Sequence, residues 1–307
     1  MATRTDIAWR FDAIGVPWRI DTATPLSAPA KDEVQALVDR FDATYSRFRA
    51  GSLVTTVSTE AGGRFEFPSD AAGIFDLYDQ LHRLTDGAVD PLVGRQLERL
   101  GYDAAYSLTP RIGEGAEMGV WSRDVRREGR IVSTRKPVLI DVGAVGKGYL
   151  VDQVSRLLTT LGVGTHIVDA GGDLRHRGAE TTRVGLEHPT VPGNVIGTAE
   201  VHNQALCASA VTRRAWRGLH HVLDARTGVP TRDIVATWVV APTAAEADGL
   251  ATALFFVDPG ALAESFDYTF VRVRADHVVE ASPRWRGDLF ADEPYLHLID
   301  HQKGATR

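Results

Sequence analysis

A glycine-rich turn with a lysine is the first place where this sequence could bind an anion. It reads Asp141-Val-Gly-Ala-Val-Gly-Lys147-Gly and stands directly before a helical pattern. Free backbone N–H groups at a helix start, together with the Lys147 ammonium, suit a phosphate group. The segment is not a Walker A loop, because Asp141 replaces the first glycine and Gly148 replaces Ser or Thr. A turn whose glycines only allow the helix to pack explains the pattern equally well.

A carboxylate and a hydroxyl four residues apart form a second candidate site, for a divalent cation. Asp248 and Thr252 share one helix face, since residues four apart are neighbours on a helix surface. Mg²⁺ takes oxygen ligands and leaves some positions to water and substrate phosphate. The surrounding sequence is apolar, so a carboxylate buried there would require a partner. The alternative is an exposed acid beside a threonine that bonds back to its own helix.

The third candidate is an imidazole that can take up a proton near neutral pH. His220 and His221 begin the segment His-His-Val-Leu-Asp-Ala-Arg-Thr-Gly, which we interpret as a short strand followed by a turn. Histidine is the commonest general base, although a lone histidine is more often a hydrogen-bonded structural residue. The adjacent pair leaves open which ring is functional.

Hydrophobic periodicity predicts an α+β protein with mixed, largely antiparallel sheets flanked by helices. We expect one domain over residues 1–307, made of two joined lobes with a central cleft. Residues 108–127 show little periodicity and are expected to form a surface excursion without a catalytic group. The predicted elements are a hairpin over 7–20, helices that begin near Ser27, Ser69 and Gly148, strands at 130–133, 138–142, 166–168, 195–201, 205–208 and 235–241, and a last helix from the Thr243/Glu246 capping box to about Phe256.

Composition excludes several classes of protein. The chain has 307 residues, of which 44% are hydrophobic, and a formal net charge of −6, so nucleic acid is not an expected partner. Cys207 is the single cysteine, which excludes an intrachain disulfide. The apolar stretches at 235–242 and 249–257 are shorter than the ~18–20 residues of a membrane span. With no signal-peptide pattern near the start, we expect a cytoplasmic protein without a membrane anchor.

Several of these segments, taken in their order along the chain, resemble the FAD:protein FMN transferase family, also called the ApbE family. The order is more specific than any single motif. The matching segments are Phe11-Asp-Ala-Ile14-Gly15, Tyr45-Ser-Arg-Phe48-Arg with Ser52, Asp86-Gly-Ala88-Val89-Asp90-Pro91, 141–149, Gly171-Gly172-Asp173, 221–228 and 247–252.

The resemblance implies that Mg²⁺ and FAD meet in the central cleft. In the family, FMN moves from FAD to a Ser or Thr hydroxyl of an acceptor flavoprotein, and AMP is released. His221 matches the family's proposed base for that hydroxyl. The implied Mg²⁺ ligands are the Ala144 carbonyl, Asp248 and Thr252, and the implied FAD contacts are Ile14, Ala88, Val89, Asp90, Asp141, Lys147 and Val222.

Two other functions fit the same residues, since all of them would bind the pyrophosphate alike. One is a protein that binds FAD without transfer, and the other is an FAD pyrophosphatase that yields FMN and AMP. The chain departs from the family pattern in three places: Ile14 stands where Met is usual, Asp169 where Asn is common, and Ala210-Val211 where Gly-Asp is common. These departures concern specificity more than metal binding.

Overall fold

A computed structural model describes residues 7–111, 118–291 and 294–301. Within these ranges nine strands form one sheet. Their spatial order is β1 (Ile7–Ala13), β2 (Val16–Thr22), β6 (His166–Ala170), β7 (Asp173–Arg177), β10 (Ala205–Ala210), β15 (Ile234–Ala241), β16 (Thr269–Arg274), β17 (Val279–Ala281) and β18 (Leu296–Leu298). Every neighbouring pair is antiparallel except β17 and β18. Four small sheets of two or three strands accompany it in the same ranges. They join β3 (Gly63–Glu66) with β5 (Ile131–Thr134) and β4 (Val125–Glu128), β8 (Thr182–Glu187) with β9 (Val195–Val201), β11 (Ala215–Trp216) with β12 (Leu219–His220), and β13 (Leu223–Asp224) with β14 (Val229–Pro230). The predicted α+β class is confirmed.

The element bounds follow in chain order. The strands are β1 Ile7–Ala13, β2 Val16–Thr22, β3 Gly63–Glu66, β4 Val125–Glu128, β5 Ile131–Thr134, β6 His166–Ala170, β7 Asp173–Arg177, β8 Thr182–Glu187, β9 Val195–Val201, β10 Ala205–Ala210, β11 Ala215–Trp216, β12 Leu219–His220, β13 Leu223–Asp224, β14 Val229–Pro230, β15 Ile234–Ala241, β16 Thr269–Arg274, β17 Val279–Ala281 and β18 Leu296–Leu298. The helices are α1 Ala28–Tyr45, α2 Leu53–Thr59, α3 Ala71–Leu84, α4 Gly94–Arg99, α5 Trp121–Asp124, α6 Gly146–Thr160, α7 Ala244–Ala253 and α8 Pro259–Ala263, with a 3₁₀ turn over Pro91–Val93.

The nine-stranded sheet is covered on both faces. Alternate residues of β15 point to opposite faces, so Val239 joins the core under the helices while Trp238 joins a second core under β8 and β9. The helices on the first face are chiefly α1, α3, α6 and α7. None of the helices in the described ranges has the length and apolar character that a bilayer span requires.

Local sequence signals placed several elements correctly. The N-terminal hairpin is present, Ser27 caps α1, and the Thr243 hydroxyl accepts from the Glu246 N–H as a capping box requires. Two bounds differ from the prediction. Helix α7 ends at Ala253, before the predicted Phe256, and it is not the last helix because α8 follows.

Two segments differ from the prediction, the first throughout and the second only from Trp121 onward. Residues 138–142 are buried but form no strand: the Asp141 N–H donates to the Pro91 carbonyl, and the Val142 carbonyl accepts from the start of α6. An apolar run shows burial, not sheet pairing. The predicted excursion over 108–127 ends in α5 and the start of β4, anchored by the buried Trp121. Its residues 112–117 lie outside the described ranges.

Candidate active site

Helices α6 and α7 approach so closely at Gly148 that a side chain there would not fit. An added Cβ would collide with the Ala244 carbonyl and would lie 2.8 Å from Asp248 Cβ. The Gly148 N–H donates to Asp248 Oδ2 over 2.9 Å. In a regular helix this N–H would donate to the Ala144 carbonyl. The contact therefore frees that carbonyl from its usual donor and brings Asp248, the second predicted Mg²⁺ ligand, to the start of α6.

A buried group of charges surrounds Asp248. The Lys147 ammonium forms an ion pair with Asp173. Burial raises the pKa of Asp248 well above its usual range, and the Asp173 carboxylate raises it further. Burial alone would lower the pKa of Lys147, but Asp173 and Asp248 together raise it. With both carboxylates ionised the group carries one uncompensated negative charge, which a bound cation would neutralise.

Polar atoms of this group remain available to a ligand. Asp173 Oδ1 is buried and has no hydrogen-bond partner in the described residues. Asp248 is only 3% exposed, so the alternative of an exposed acid is wrong. Within the same ranges no three His, Cys, Asp or Glu residues form a metal-binding group. The predicted set of one carboxylate, one hydroxyl and one carbonyl is of a different kind, and Thr252 lies one turn after Asp248 on α7.

The loop before α6 is held by Asp141. Its Oδ2 accepts from Arg47 Nε over 2.5 Å, and its Oδ1 accepts from the Gly143 N–H over 2.7 Å. The Tyr78 hydroxyl donates to the Asp141 carbonyl and accepts from the Ala144 N–H. Both Asp141 carboxylate oxygens are thus engaged inside the protein. Asp141 orients the loop that carries the Ala144 carbonyl.

Arg47 was not among the sequence-predicted site residues. Its guanidinium is buried against the rings of Phe48 and Tyr102, and its Cζ lies 4.1 and 4.9 Å from their centroids. Its Nη1 donates to the Tyr102 carbonyl, and its Nη2 has no partner in the described part of the chain. The Tyr-Ser-Arg-Phe motif contained this residue, but nothing local showed that it reaches Asp141. Asp173 was likewise named only as part of a glycine turn.

Ile14 closes the β1–β2 hairpin in a strained conformation. Ile14 and Gly15 have φ values of 46° and 75°, as a type I′ turn requires. A β-branched residue is rarely found there, and such strain is concentrated at functional sites. Because β2 pairs antiparallel with β6, this turn and the Gly171-Gly172 turn before Asp173 lie at the same end of the sheet. A concavity of about 420 Å³ lies beside them, lined in part by Phe11, Trp18, Asp169 and Gly171.

The turn that contains Ala88 and Val89 is buried and hydrogen-bonded. The Ala88 carbonyl accepts from the Ala225 N–H over 3.1 Å, and the Val89 N–H donates to Thr85 Oγ1 over 3.0 Å. Both side chains are no more than 3% exposed. The structure thereby joins this turn to the loop that follows the two histidines.

Asp90 continues the turn and is also held internally. Its carboxylate accepts from the Leu92 N–H over 2.7 Å and from the Trp121 N–H over 2.8 Å. His82 Nδ1 lies 3.3 Å from the same carboxylate. The Asp90 side chain therefore shapes the turn, and a contact with FAD remains a prediction.

The two histidines have different environments. His220 ends β12, and its Nε2 pairs with the Thr231 carbonyl over 2.8 Å. His221 lies in a bend between β12 and β13, so the prediction of one strand through both residues is wrong. The pKa of His221 is lowered to about 3, chiefly by burial and also by the charges of Arg214 and His220, while the Arg214 backbone and the Asp141 carboxylate oppose the shift. Its buried Nδ1 has no partner in the described residues.

Val222 follows His221 and packs into a small core with Ile234 and Phe255. Its carbonyl accepts from the Thr231 N–H over 3.2 Å. This packing fixes the segment after His221. The structure thus brings three predicted site residues, Ala144, Lys147 and Asp248, together at the start of α6. Asp141 lies in the loop before α6, and its carboxylate is close enough to affect the pKa of His221.

Comparison with known proteins identifies the family. A family model described as the ApbE family matches residues 1–270. The FAD:protein FMN transferase of Klebsiella pneumoniae is 29% identical over 271 residues, which cover 82% of this chain and 76% of that protein. That of Haemophilus influenzae is 26% identical over 254 residues, covering 76% and 73%.

Solved structures show the same fold. The ApbE protein of Thermotoga maritima has a TM-score of 0.78 at 24% identity, with 91% of this chain and 97% of that chain covered. The apo form of the Pseudomonas stutzeri flavinyl transferase ApbE has a TM-score of 0.76 at 22% identity, covering 92% and 97%. Because the family model spans most of the sequence, including every predicted site residue, the chain belongs to the ApbE family.

Proposed function

We propose that this chain transfers FMN from FAD to a Ser or Thr hydroxyl of an acceptor flavoprotein, with release of AMP and a requirement for Mg²⁺. The observation that carries the proposal is the meeting of the Ala144 carbonyl, Asp248 and Lys147 at one helix start. A buried carboxylate that could bind a cation lies there beside an ammonium that could bind a phosphate, which supports the proposal. The names of the curated relatives support the same activity.

The residues at this helix start fit a magnesium ion. Asp248 is a buried carboxylate next to a second one, so a cation there would relieve an unfavourable charge. The Ala144 carbonyl lacks its usual helical donor, and Thr252 offers a hydroxyl from the same helix as Asp248. Ala144, Asp248 and Thr252 would hold the ion. When bound, Mg²⁺ neutralises pyrophosphate charge that builds up during phosphoryl transfer.

The chain's own residues supply binding and proton transfer. Lys147, in the first turn of α6, would bind a phosphate oxygen, aided by the positive end of the helix. Arg47 and Asp141 keep the loop before α6 in place. We propose FAD contacts along Ile14, the turn from Ala88 through Val89 to Asp90, and the backbone at Val222, although the Asp90 carboxylate is engaged internally.

His221 would act as the general base. The acceptor oxygen forms a bond to the FMN phosphorus, the bond from that phosphorus to the AMP oxygen breaks, and the hydroxyl proton passes to His221. The pKa of about 3 keeps the free ring neutral and able to accept a proton. The negative charge of bound FAD would raise that pKa and so strengthen the base. Its Nδ1 is buried and has no hydrogen-bond partner in the described residues.

One assay separates transfer from the other two functions. The protein is incubated with FAD, Mg²⁺ and a purified acceptor domain, and AMP and a fluorescent acceptor band are measured. Transfer gives both products, hydrolysis gives AMP without the band, and simple binding gives neither.

Asp248→Ala should abolish AMP release, because the other two proposed Mg²⁺ ligands, the Ala144 carbonyl and the Thr252 hydroxyl, carry no charge. Asp32→Ala, at an exposed position on α1, is the control. Full, chelator-resistant activity in Asp248→Ala would refute the metal assignment.

A further inference from the structure

Ser122, His82 and Asp90 form a second chemically organised group, separate from Asp248. Ser122 Oγ lies 3.1 Å from His82 Nε2. Asp90 Oδ2 lies 3.3 Å from His82 Nδ1, on the other side of the ring. A histidine with a serine hydroxyl beside Nε2 and a carboxylate beside Nδ1 is the arrangement that activates a serine for acyl transfer.

The three residues are held by three different elements. Asp90 precedes the 3₁₀ turn and is fixed by the Leu92 and Trp121 N–H groups. His82 lies in the last turn of α3, and Ser122 follows the buried Trp121 in α5. The bond between Asp90 and the Trp121 N–H therefore sets the distance from the acid to the serine. Tertiary packing aligns residues that lie up to 40 positions apart in the sequence.

Burial decreases in the order a nucleophilic site requires. Asp90 is 4% exposed, the His82 side chain is 15% exposed, and Ser122 is exposed. The acid is thus shielded from water, while the hydroxyl can meet a molecule from solution. The Asp90 carboxylate beside the ring raises the pKa of His82 despite the opposing effect of burial, although His82 Nδ1 forms no hydrogen bond of regular geometry within the described residues. A carboxylate that stabilises imidazolium has the same role in serine hydrolases.

The Ser122 N–H donates to no acceptor within residues 7–111, 118–291 and 294–301. In serine hydrolases the N–H of the nucleophile helps to bind the oxyanion. This donor stands next to the Ser122 hydroxyl. An acyl oxygen on the reacting carbon could therefore accept from it.

We propose that Ser122, His82 and Asp90 form a second catalytic site, which hydrolyses small activated carboxylic esters. The Ser122 oxygen bonds to the ester carbonyl carbon while its proton moves to His82 Nε2. The alcohol then leaves with that proton, and Ser122 remains acylated. Water attacks the acyl group, gives its proton to His82, and the acid departs as the proton returns to Ser122. Ser122 lies in the segment that was expected to contain no catalytic group.

Small esters are the substrate class because Ser122 stands on an open surface. An exposed nucleophile offers little apolar area to bind a long acyl chain. Reactivity must then come from the ester rather than from tight binding. This proposal does not depend on FAD chemistry.

A fluorophosphonate probe and p-nitrophenyl acetate test the site. We expect the probe to label Ser122, as shown by mass spectrometry of the digested protein. Ser122→Ala should lose labelling, and its p-nitrophenol release should fall by about a hundredfold, the scale of general-base catalysis. His82→Asn should behave alike. Ser69→Ala removes an exposed serine that bonds to no histidine in the described part of the chain, and it is the matched control.

Two results would overturn the proposal. One is a native protein in which Ser122 stays unlabelled while an added serine esterase is labelled in the same tube. The other is equal p-nitrophenol release by Ser122→Ala and Ser69→Ala. In either case the contact between Ser122 and His82 serves only to join α5 to α3. Thermal melting of each variant shows that it is folded, since Ser122 is exposed and its loss creates no cavity.

Discussion

Replacing Gly148 with alanine tests the packing that places the candidate metal ligands. The new Cβ would lie 2.8 Å from Asp248 Cβ and would overlap the Ala244 carbonyl oxygen. Ordinary carbon contacts are about 3.5–4.0 Å, so α6 and α7 must separate by roughly 1 Å. Overpacking of this kind costs about 1–3 kcal/mol. At about 2–4 °C per kcal/mol for a large domain, the Tm should fall by about 2–12 °C.

The same displacement should weaken metal binding. Ligand distances in a metal site are held to about 0.2 Å, so a shift of roughly 1 Å disrupts it. At a Mg²⁺ concentration a hundred times the wild-type Kd, bound metal stabilises by about 2.7 kcal/mol. A tenfold weaker site would be stabilised by only about 1.4 kcal/mol at that concentration. Thermal melting with and without Mg²⁺ measures both effects.

Gly73→Ala is the matched control for this prediction. Gly73 is also in a helix, and a Cβ there would meet only Tyr149 Cε2 at 3.7 Å, an ordinary contact. Alanine at that position should stabilise by about 0.5–1 kcal/mol, because glycine loses more entropy in a helix. If Gly148→Ala instead keeps both the wild-type Tm and the wild-type response to Mg²⁺, the close approach of α6 and α7 does not hold the site.

Three further predictions concern single residues. His221→Ala should leave FAD affinity intact and slow AMP release at saturating FAD by about 10²–10⁴-fold. His220→Ala should have a much smaller effect, because the His220 ring already bonds to a backbone carbonyl. If His220→Ala is the slower variant, the base is His220. Cys207→Ser should keep most of its AMP release, because burial raises the pKa of this thiol well above its usual range and excludes a thiolate; lost turnover in folded protein would contradict this. Burial also lowers the pKa of His166 in the folded protein. Below about pH 6.5, the ordinary pKa of histidine, the unfolded chain therefore binds more protons than the folded one. Stability should therefore fall as the pH drops from about 6.5 toward the pKa of His166 in the folded protein. The fall should be less steep in His166→Asn. Equal slopes of Tm against pH in the wild type and this variant would refute the prediction.

Elements with local signals could be predicted from the sequence. Ser27 and the Thr243/Glu246 pair identify helix starts, because a cap bonds to backbone only two or three residues away. Asp248 and Thr252 share a face for a similar reason, since helix geometry relates residues four apart. The prediction of a strand at 138–142 was wrong because a continuous apolar run indicates burial without identifying the hydrogen-bond partners.

The order of the motifs along the chain identified the ApbE family and the candidate residues, because residue types and spacing are properties of the sequence alone. Tertiary structure decided their electrostatics. Arg47 reaches Asp141 across 94 positions, and Lys147 pairs with Asp173 across 26. No periodicity connects residues so far apart. The raised pKa of Asp248 has the same origin, since desolvation depends on which atoms pack around a carboxylate, and only the folded chain brings them there.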